Sequence, residues 1–323
     1  MSDDSGRPPQ PRAVVDYDSG FEYGKFWDNR DYERWVENRL LARLLPHLPH
    51  GAWFADFGGG FGRNAPHYPR GATRTLLIDY SVHNLEQAAE HLAEPLAQGR
   101  VYLLRSDLVQ LPLVDRAVAS AMVVRVLHHL TDARSAISEM ARVVGQAWLL
   151  DVPIKHHLLA RLRSPGRAAR AELRSPEPRV AGSTEYPFST FQLAWVRAQL
   201  RAADFETQVL ASGNNFRRWD QVVPRSIIPW LRPVVYPSEL ALQRLGRGWW
   251  GPSQFLLARR RGSAAAPAHP VHPGGAGPGG VASIVCCPRC RGELEWAEAA
   301  ASCKPCAVSF PRRGPFWDFV EPV

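Results

Sequence analysis

The sequence predicts an α/β fold: a doubly wound, seven-stranded sheet followed by a small cysteine-rich module at the C-terminus. Three observations predict it. Strand and helix patterns alternate from about residue 52 to 152, a glycine-rich turn follows the first strand, and all five cysteines lie between Cys286 and Cys306.

Residues 1–15 are polar and Pro-rich and read as a disordered tail. From Asp28 to Leu45 the spacing predicts a helix, with Trp35, Leu40, Leu41, Leu44 and Leu45 on or near one face. Strands are predicted at Ala52–Phe57, Arg74–Ile78, Val101–Arg105, Ala117–Val124 and Ala147–Val152, the last closed by Pro153. Helices are predicted at Ser81–Ala97, Asp132–Val144 and Thr190–Ala203, with Thr131 placed to cap the second and Gly145 to end it. Such βαβ alternation implies a mostly parallel sheet. Two further strands, Thr207–Ser212 and Gln254–Arg259, complete it at one edge. The small-residue, Pro- and Gly-rich stretch 262–283 is a linker. It divides a large domain, 16–261, from a compact tail, 284–323.

The length of 323 residues suits one α/β domain plus a satellite. No apolar run reaches the roughly 18–20 residues of a membrane helix, so no membrane association is expected. The N-terminal stretch has neither a basic region nor an apolar core, which makes a cytoplasmic location the expectation. A formal charge of +8 suits an anionic partner such as RNA. Lysine occurs only at Lys25, Lys155 and Lys304 while arginine is abundant, a bias typical of GC-rich codon usage, so one arginine says little by itself.

The principal chemical signal is Asp56-Phe57-Gly58-Gly59-Gly60-Phe61-Gly62-Arg63. Glycines let the backbone take positive φ and approach a ligand closely. A second strand ends at Asp79, where a carboxylate can accept hydrogen bonds from ribose hydroxyls. A dinucleotide fold would favour a small residue where Arg63 stands. D-x-G-x-G-x-G instead resembles motif I of class I S-adenosylmethionine (SAM)-dependent methyltransferases of the type 11 kind. A nicotinamide cofactor and a loop without a ligand are the alternatives. The resemblance implies a Rossmann-like methyltransferase sheet and SAM bound by Asp56, Gly58, Gly60, Gly62, Asp79, Tyr80, Asp107, Leu108 and Arg125. Within that set, Asp79 would meet the ribose, Asp107 the adenine amine, and the backbone beside Asp107 a ring nitrogen. Ala141-Arg142-Val143-Val144-Gly145 resembles, in degraded form, the family's segment before its fifth strand.

Arg125-Val126-Leu127-His128-His129-Leu130 follows the fourth strand, where the family borders the transferred methyl. His128 is the candidate general base; packing beneath the cofactor or capping a helix is the alternative role. No cysteine lies in the large domain, which excludes thiolate activation of a pyrimidine. No N-P-P-Y or D-P-P-Y follows the fourth strand, which argues against an adenine or glutamine amino acceptor. Oxygen and other nitrogen acceptors remain. Tyr23, Phe26, Trp27, Arg30 and Tyr32 precede the first strand, where relatives cover the methionine end of SAM, and Arg30 is a candidate partner for its carboxylate. Between the last two strands, Phe216, Arg217, Arg218, Trp219, Trp230, Trp249 and Trp250 form either a substrate lid or core beneath a long connection. Arg161, Arg163, Arg167, Arg170, Arg174 and Arg179 either track phosphates or form a solvated basic face.

Cys287-x-x-Cys290 and Cys303-x-x-Cys306 are two knuckles whose four thiolates can close a tetrahedral zinc site. Arg289, Arg291 and Lys304 are placed to offset its charge, and Cys286 is a spare thiol. The tail C-P-x-C-x-G-x-L…C-x-x-C-x-x-x-F-P-x-x-x-G resembles the small zinc-binding activator subunit of tRNA, rRNA and release-factor methyltransferases. The resemblance implies a structural zinc and a ribbon that docks on the large domain through Phe310 and Phe316-Trp317-Asp318-Phe319. The functional expectation is a methyltransferase for RNA or a protein of the translation apparatus, activated in cis. A small-molecule O- or N-methyltransferase and a non-catalytic RNA-binding protein with this fold are the alternatives.

Overall fold

The computed structural model describes Trp27 and residues 30–70, 74–164, 166–182, 187–262 and 278–323. The expected tail 1–15, Tyr23, Phe26 and linker residues 263–277 lie outside the described residues. Helix α1 (Asp31–Leu44) buries Tyr32, Val36, Leu40, Leu41 and Leu44, a stripe at helical spacing. Strands β1 (Trp53–Phe57) and β2 (Arg74–Asp79) follow. Ser81 caps α2 (Val82–His91) by accepting from the Asn84 N–H at 3.1 Å. The single helix expected over Ser81–Ala97 breaks at Leu92, and α3 (Ala93–Ala97) starts anew. Pro95 explains the break: it lacks the N–H that would bond the His91 carbonyl, and its ring crowds that carbonyl.

Next come β3 (Val101–Arg105), β4 (Val118–Val123), α4 (Ala133–Val143) and β5 (Val144–Pro153). Asp132, not Thr131, caps α4, through the Ser135 N–H at 3.0 Å. Gly145 does not end the helix. The chain turns extended at β-branched Val144, and Gly145 lies inside β5, where a Cβ would stand 3.2 Å from the Val118 carbonyl. After α5 (Leu158–Arg163) and α6 (Arg167–Arg174), β6 (Arg179–Gly182) and β7 (Pro187–Thr190) form a separate antiparallel pair. The expected helix at Thr190 therefore begins later, as α7 (Leu193–Ala202). The remaining elements are β8 (Phe205–Gly213), α8 (Trp219–Val222), α9 (Ile228–Leu245) and β9 (Ser253–Arg260), then β10 (Glu295–Trp296), β11 (Ala300–Cys303), β12 (Val308–Arg313) and β13 (Phe316–Asp318).

The seven expected strands lie in the order β3-β2-β1-β4-β5-β9-β8, with β9 antiparallel to both neighbours. They do not form a sheet of their own. The order continues β10-β11-β12-β13-β3, giving one mixed sheet of eleven strands. The join is a parallel ladder, Phe316 with Leu103, Trp317 with Leu104 and Asp318 with Arg105. Within the stretch expected to be linker, Pro278–Ser283 form a 3-10 turn whose Val281 is buried in the main core. Strand order reverses at β1, so a crevice opens beyond the carboxyl ends of β1 and β4. Among the described residues, no helix is long and apolar enough to cross a membrane.

Candidate functional site

A cavity occupies that crevice. Of the residues nominated from sequence, Gly58, Gly60, Asp79, Tyr80, Asp107, Leu108 and Arg125 line it. Gly58, Gly60 and Gly62 all have positive φ. A side chain at Gly58 would meet Val126 at 2.4 Å, so the turn must carry glycine there. Asp79 ends β2 and holds the turn: its Oδ2 accepts from the Gly60 N–H at 2.8 Å and its Oδ1 from the Ser81 N–H at 3.0 Å. Burial raises the Asp79 pKa and these donors oppose the rise. Asp107 Oδ1 accepts from the Val109 N–H at 3.0 Å, which fixes the loop after β3.

Asp56 and Gly62 stand behind the wall. Asp56 is buried and accepts from the Tyr68 hydroxyl at 2.8 Å, and burial pushes its pKa up to about 7. A Cβ on Gly62 would lie 2.8 Å from Leu92, so this glycine serves helix packing. Sequence reasoning missed Asn84, Ser106, Val109 and Leu130-Thr131-Asp132 as lining residues. Each adjoins a nominated position, Asn84 one helical turn from the Ser81 cap, so the loops were legible but not their inward-facing members.

Arg63 and Arg125 form the outer wall, both facing α1. Arg63 is paired with Glu37, and Arg125 Nη1 lies 3.6 Å from Glu33 and 3.9 Å from Glu37. Both guanidinium groups lie over Trp27, at 3.8 and 4.8 Å from its ring centroid. Arg30 does not line the cavity; its Nη1 donates to Glu33 at 3.1 Å. Arg125 holds φ 60°, a strained value for a non-glycine residue beside a ligand cavity.

His128 and His129 fall on a 3-10 turn, Leu127–His129. His129 lines the cavity; His128 is buried beside it, 3.9 Å from the His129 ring and 4.7 Å from Phe188 of β7. Burial drives the His128 pKa well below its ordinary value and lowers His129 to about 4, so both are neutral at pH 7. In the insertion, Trp219 is buried against α1, whereas Trp230 is 82% exposed.

The four knuckle cysteines converge. Their sulfurs all lie within 4.8 Å of one another, with Cys290–Cys303 at 3.5 Å and Cys287–Cys306 at 3.9 Å. Four metal–sulfur bonds of about 2.3 Å at tetrahedral angles place sulfurs about 3.8 Å apart, so the cluster fits such an ion. The Gly292 N–H at 3.4 Å, the leading cause, lowers the Cys290 thiol to about 7. The nearby cations are otherwise engaged: Arg291 Nη2 donates to Glu139 of α4 at 3.2 Å, and Lys304 pairs with Glu295. Beside the knuckles, Gln110 Nε2 donates to the Pro288 carbonyl at 3.0 Å and the Cys286 N–H to Pro112 at 3.0 Å. Arg105 and Asp318, both buried, pair at 3.0 Å.

Residues 55–147 match a family model described as a methyltransferase domain. An O-methyltransferase, rstn1 of Aspergillus nomiae, is 26% identical over 137 residues, 41% of this chain and 61% of that protein. The chain thus spans about three fifths of this relative's length. Solved structures are similar at lower identity. A SAM-dependent methyltransferase of Thermotoga maritima, a possible histamine N-methyltransferase, is 15% identical, covering 74% of this chain and 95% of that one, with a TM-score of 0.47. Magnesium protoporphyrin IX methyltransferase of Synechocystis with bound SAH is 18% identical, covering 76% and 98%, with a TM-score of 0.49. A complex of the Haloferax volcanii Trm112 methyltransferase activator with a putative methyltransferase is 14% identical, covering 80% and 100%, with a TM-score of 0.47. The matched segment carries the glycine turn and the acid-bearing loops that line the cavity, so this part of the chain is similar to a methyltransferase domain.

Proposed function

We propose that this protein is a SAM-dependent methyltransferase that acts on an oxygen or nitrogen of an RNA or a protein of the translation apparatus, and that its cysteine module is a zinc ribbon acting as an activator in cis. The observation that carries the reading is the ladder between β13 and β3, because β3 runs directly into the cavity-lining Ser106–Val109. The ribbon also bonds Gln110 and Pro112, so it braces the whole loop that bears Asp107. The activator role itself comes from the resemblance of the cysteine motif. A ribbon of about forty residues has too little core to fold without its metal, so zinc on Cys287, Cys290, Cys303 and Cys306 would hold the brace in shape.

SAM supplies an already activated methyl, and the chain's task is positioning. In this reading Asp79 accepts from the ribose hydroxyls, Asp107 accepts from the adenine amine, and the Leu108 N–H donates to the ring. The turn at Gly58 and Gly60 admits the methionine portion, with Asp56 and Gly62 holding the turn from behind. Arg125 and Arg63 close the outer side against α1. His128, neutral and shielded by Phe188, accepts a proton only weakly, so it assists an acceptor that is already acidic.

A small-molecule O-methyltransferase is the second reading, favoured by the name of the Aspergillus relative. Mass spectrometry of RNA and ribosome-associated proteins from a strain lacking the enzyme separates the two. The first reading expects one methyl mark to disappear and to return in vitro with purified enzyme and labelled SAM. Unchanged marks in both pools would discard it.

A further inference from the structure

A second concave site lies away from the cofactor, between the C-terminal halves of α1 and α9. It is lined by Arg39, Arg43, Leu240, Gln243 and Arg244, among others. Arg39, Arg43, Arg244 and nearby Arg247 make no ion pair with any described residue. Arg43 is partly buried, its Nη2 has no hydrogen-bond partner, and the charges that act on it are Arg244, Arg247 and Arg39. Burial lowers its pKa and these like charges lower it further. The ends of the two helices offer some compensation. Each carries roughly half a negative charge, so together they offset about one of four guanidinium charges. The cleft also holds an orphan acceptor: Gln243 is fully buried, its Nε2 donates to Glu239 at 3.3 Å, and its Oε1 has no partner.

Like charges gathered around a concavity, one of them half-buried with an idle donor, are unfavourable unless an anion joins them. A solvated basic face would leave neither Arg43 Nη2 nor Gln243 Oε1 buried and unpaired. The donors suit anionic oxygens and the acceptor suits a hydroxyl. We propose that this cleft binds a phosphate group that carries or adjoins a hydroxyl, and that in function it holds the sugar-phosphate backbone of an RNA. The identity of the RNA ligand rests on the translation-apparatus reading; the phosphate chemistry does not.

The full-length protein is tested by thermal unfolding in phosphate, sulfate and chloride at matched ionic strength and pH 7. Phosphate should raise Tm in a concentration-dependent way, because it binds the native state. Sulfate has no hydroxyl to offer Gln243 and should bind about tenfold more weakly. Arg43→Gln, and separately the pair Arg39→Gln with Arg244→Gln, should weaken phosphate about tenfold or more while leaving Tm in chloride unchanged or higher, since repulsion is relieved. Equal stabilisation by all three anions, or an unchanged phosphate response in both variants, would overturn the site. In the second arm, a labelled single-stranded RNA is titrated across a salt series. The double variant should flatten the log K against log salt slope by about 0.7, the value for one lost phosphate contact, and DNA of the same sequence should bind more weakly. A phosphate response without RNA binding would keep the site and discard the RNA ligand.

Discussion

The two ends of the eleven-stranded sheet are finished in opposite ways. At one end β8 is nine residues long and guards its own edge with outward-facing Glu206 and Gln208. At the other, β3 reads Val-Tyr-Leu-Leu-Arg, an apolar strand that would template association if left open. It is covered by β13, and the sheet then dwindles through β12 and β11 to the two-residue β10. One edge is protected by its own side chains. The other depends on a partner whose Asp318 lies 213 residues from Arg105 in sequence, held by a cluster of four thiols. The dependent edge is also the one that leads into the cofactor cavity.

The largest effect is expected where this dependence is most buried. Asp318 is fully buried and accepts from Arg105, Arg313 and the Val320 and Glu321 N–H groups. Asp318→Ala leaves the Arg105 charge buried with only half-exposed Glu321 beside it, and should lower unfolding stability by about 3–5 kcal/mol. Glu206→Ala on the β8 edge removes only an exposed pair with Arg261 and should stay within about 0.5 kcal/mol. Urea unfolding of both variants checks this. Similar losses at the two edges would show that the ribbon is not a support.

Next in size is the cavity that the β3 edge serves. Asp79→Ala removes the carboxylate that holds the Gly60 N–H and faces the cavity. SAM affinity should fall by about 2–3 kcal/mol, roughly 30- to 150-fold. Calorimetry with SAM gives the answer, and an unchanged Kd would remove Asp79 from the site.

What was legible in the sequence follows the same division. The glycine turn, Asp79 and Asp107 are local features, each fixed by strand ends and short loops, and they reach one cavity. The ladder between β13 and β3 is three residues long and joins distant segments, so no periodicity announces it. Adjacent His128 and His129 show another limit. On a 3-10 turn neighbouring side chains point different ways, and only the turn's seating decides which faces the cavity. At the two ends of α4 a neighbour takes the expected role: β-branched Val144 ends the helix one position before Gly145, and Asp132 caps it one position after Thr131. Pro95, by contrast, is a helix breaker legible in the sequence itself.

The last effect is seen only as pH changes, and it concerns the strain of building the cavity's back wall from a buried acid. Asp56 has an ordinary pKa near 4, raised in the folded protein to about 7 chiefly by burial. Between those values the folded state keeps a proton that the unfolded state has lost. The group's contribution to stability is therefore fully present below about pH 4 and is lost as pH rises through about 7. Asp151, raised to about 6, acts in the same direction, while His129, lowered to about 4, acts in the opposite one over part of the range. The isolating measurement is thus a difference. Unfolding free energies of wild type and Asp56→Asn should converge or cross as pH rises from about 4 to 7, the wild type losing ground, and run parallel above about 8. The Glu206→Ala curve at the independent edge should track the wild type throughout. Parallel Asp56→Asn and wild-type curves across pH 4–7 would show that the acid is ionised in the fold, and that the back wall stores no such strain.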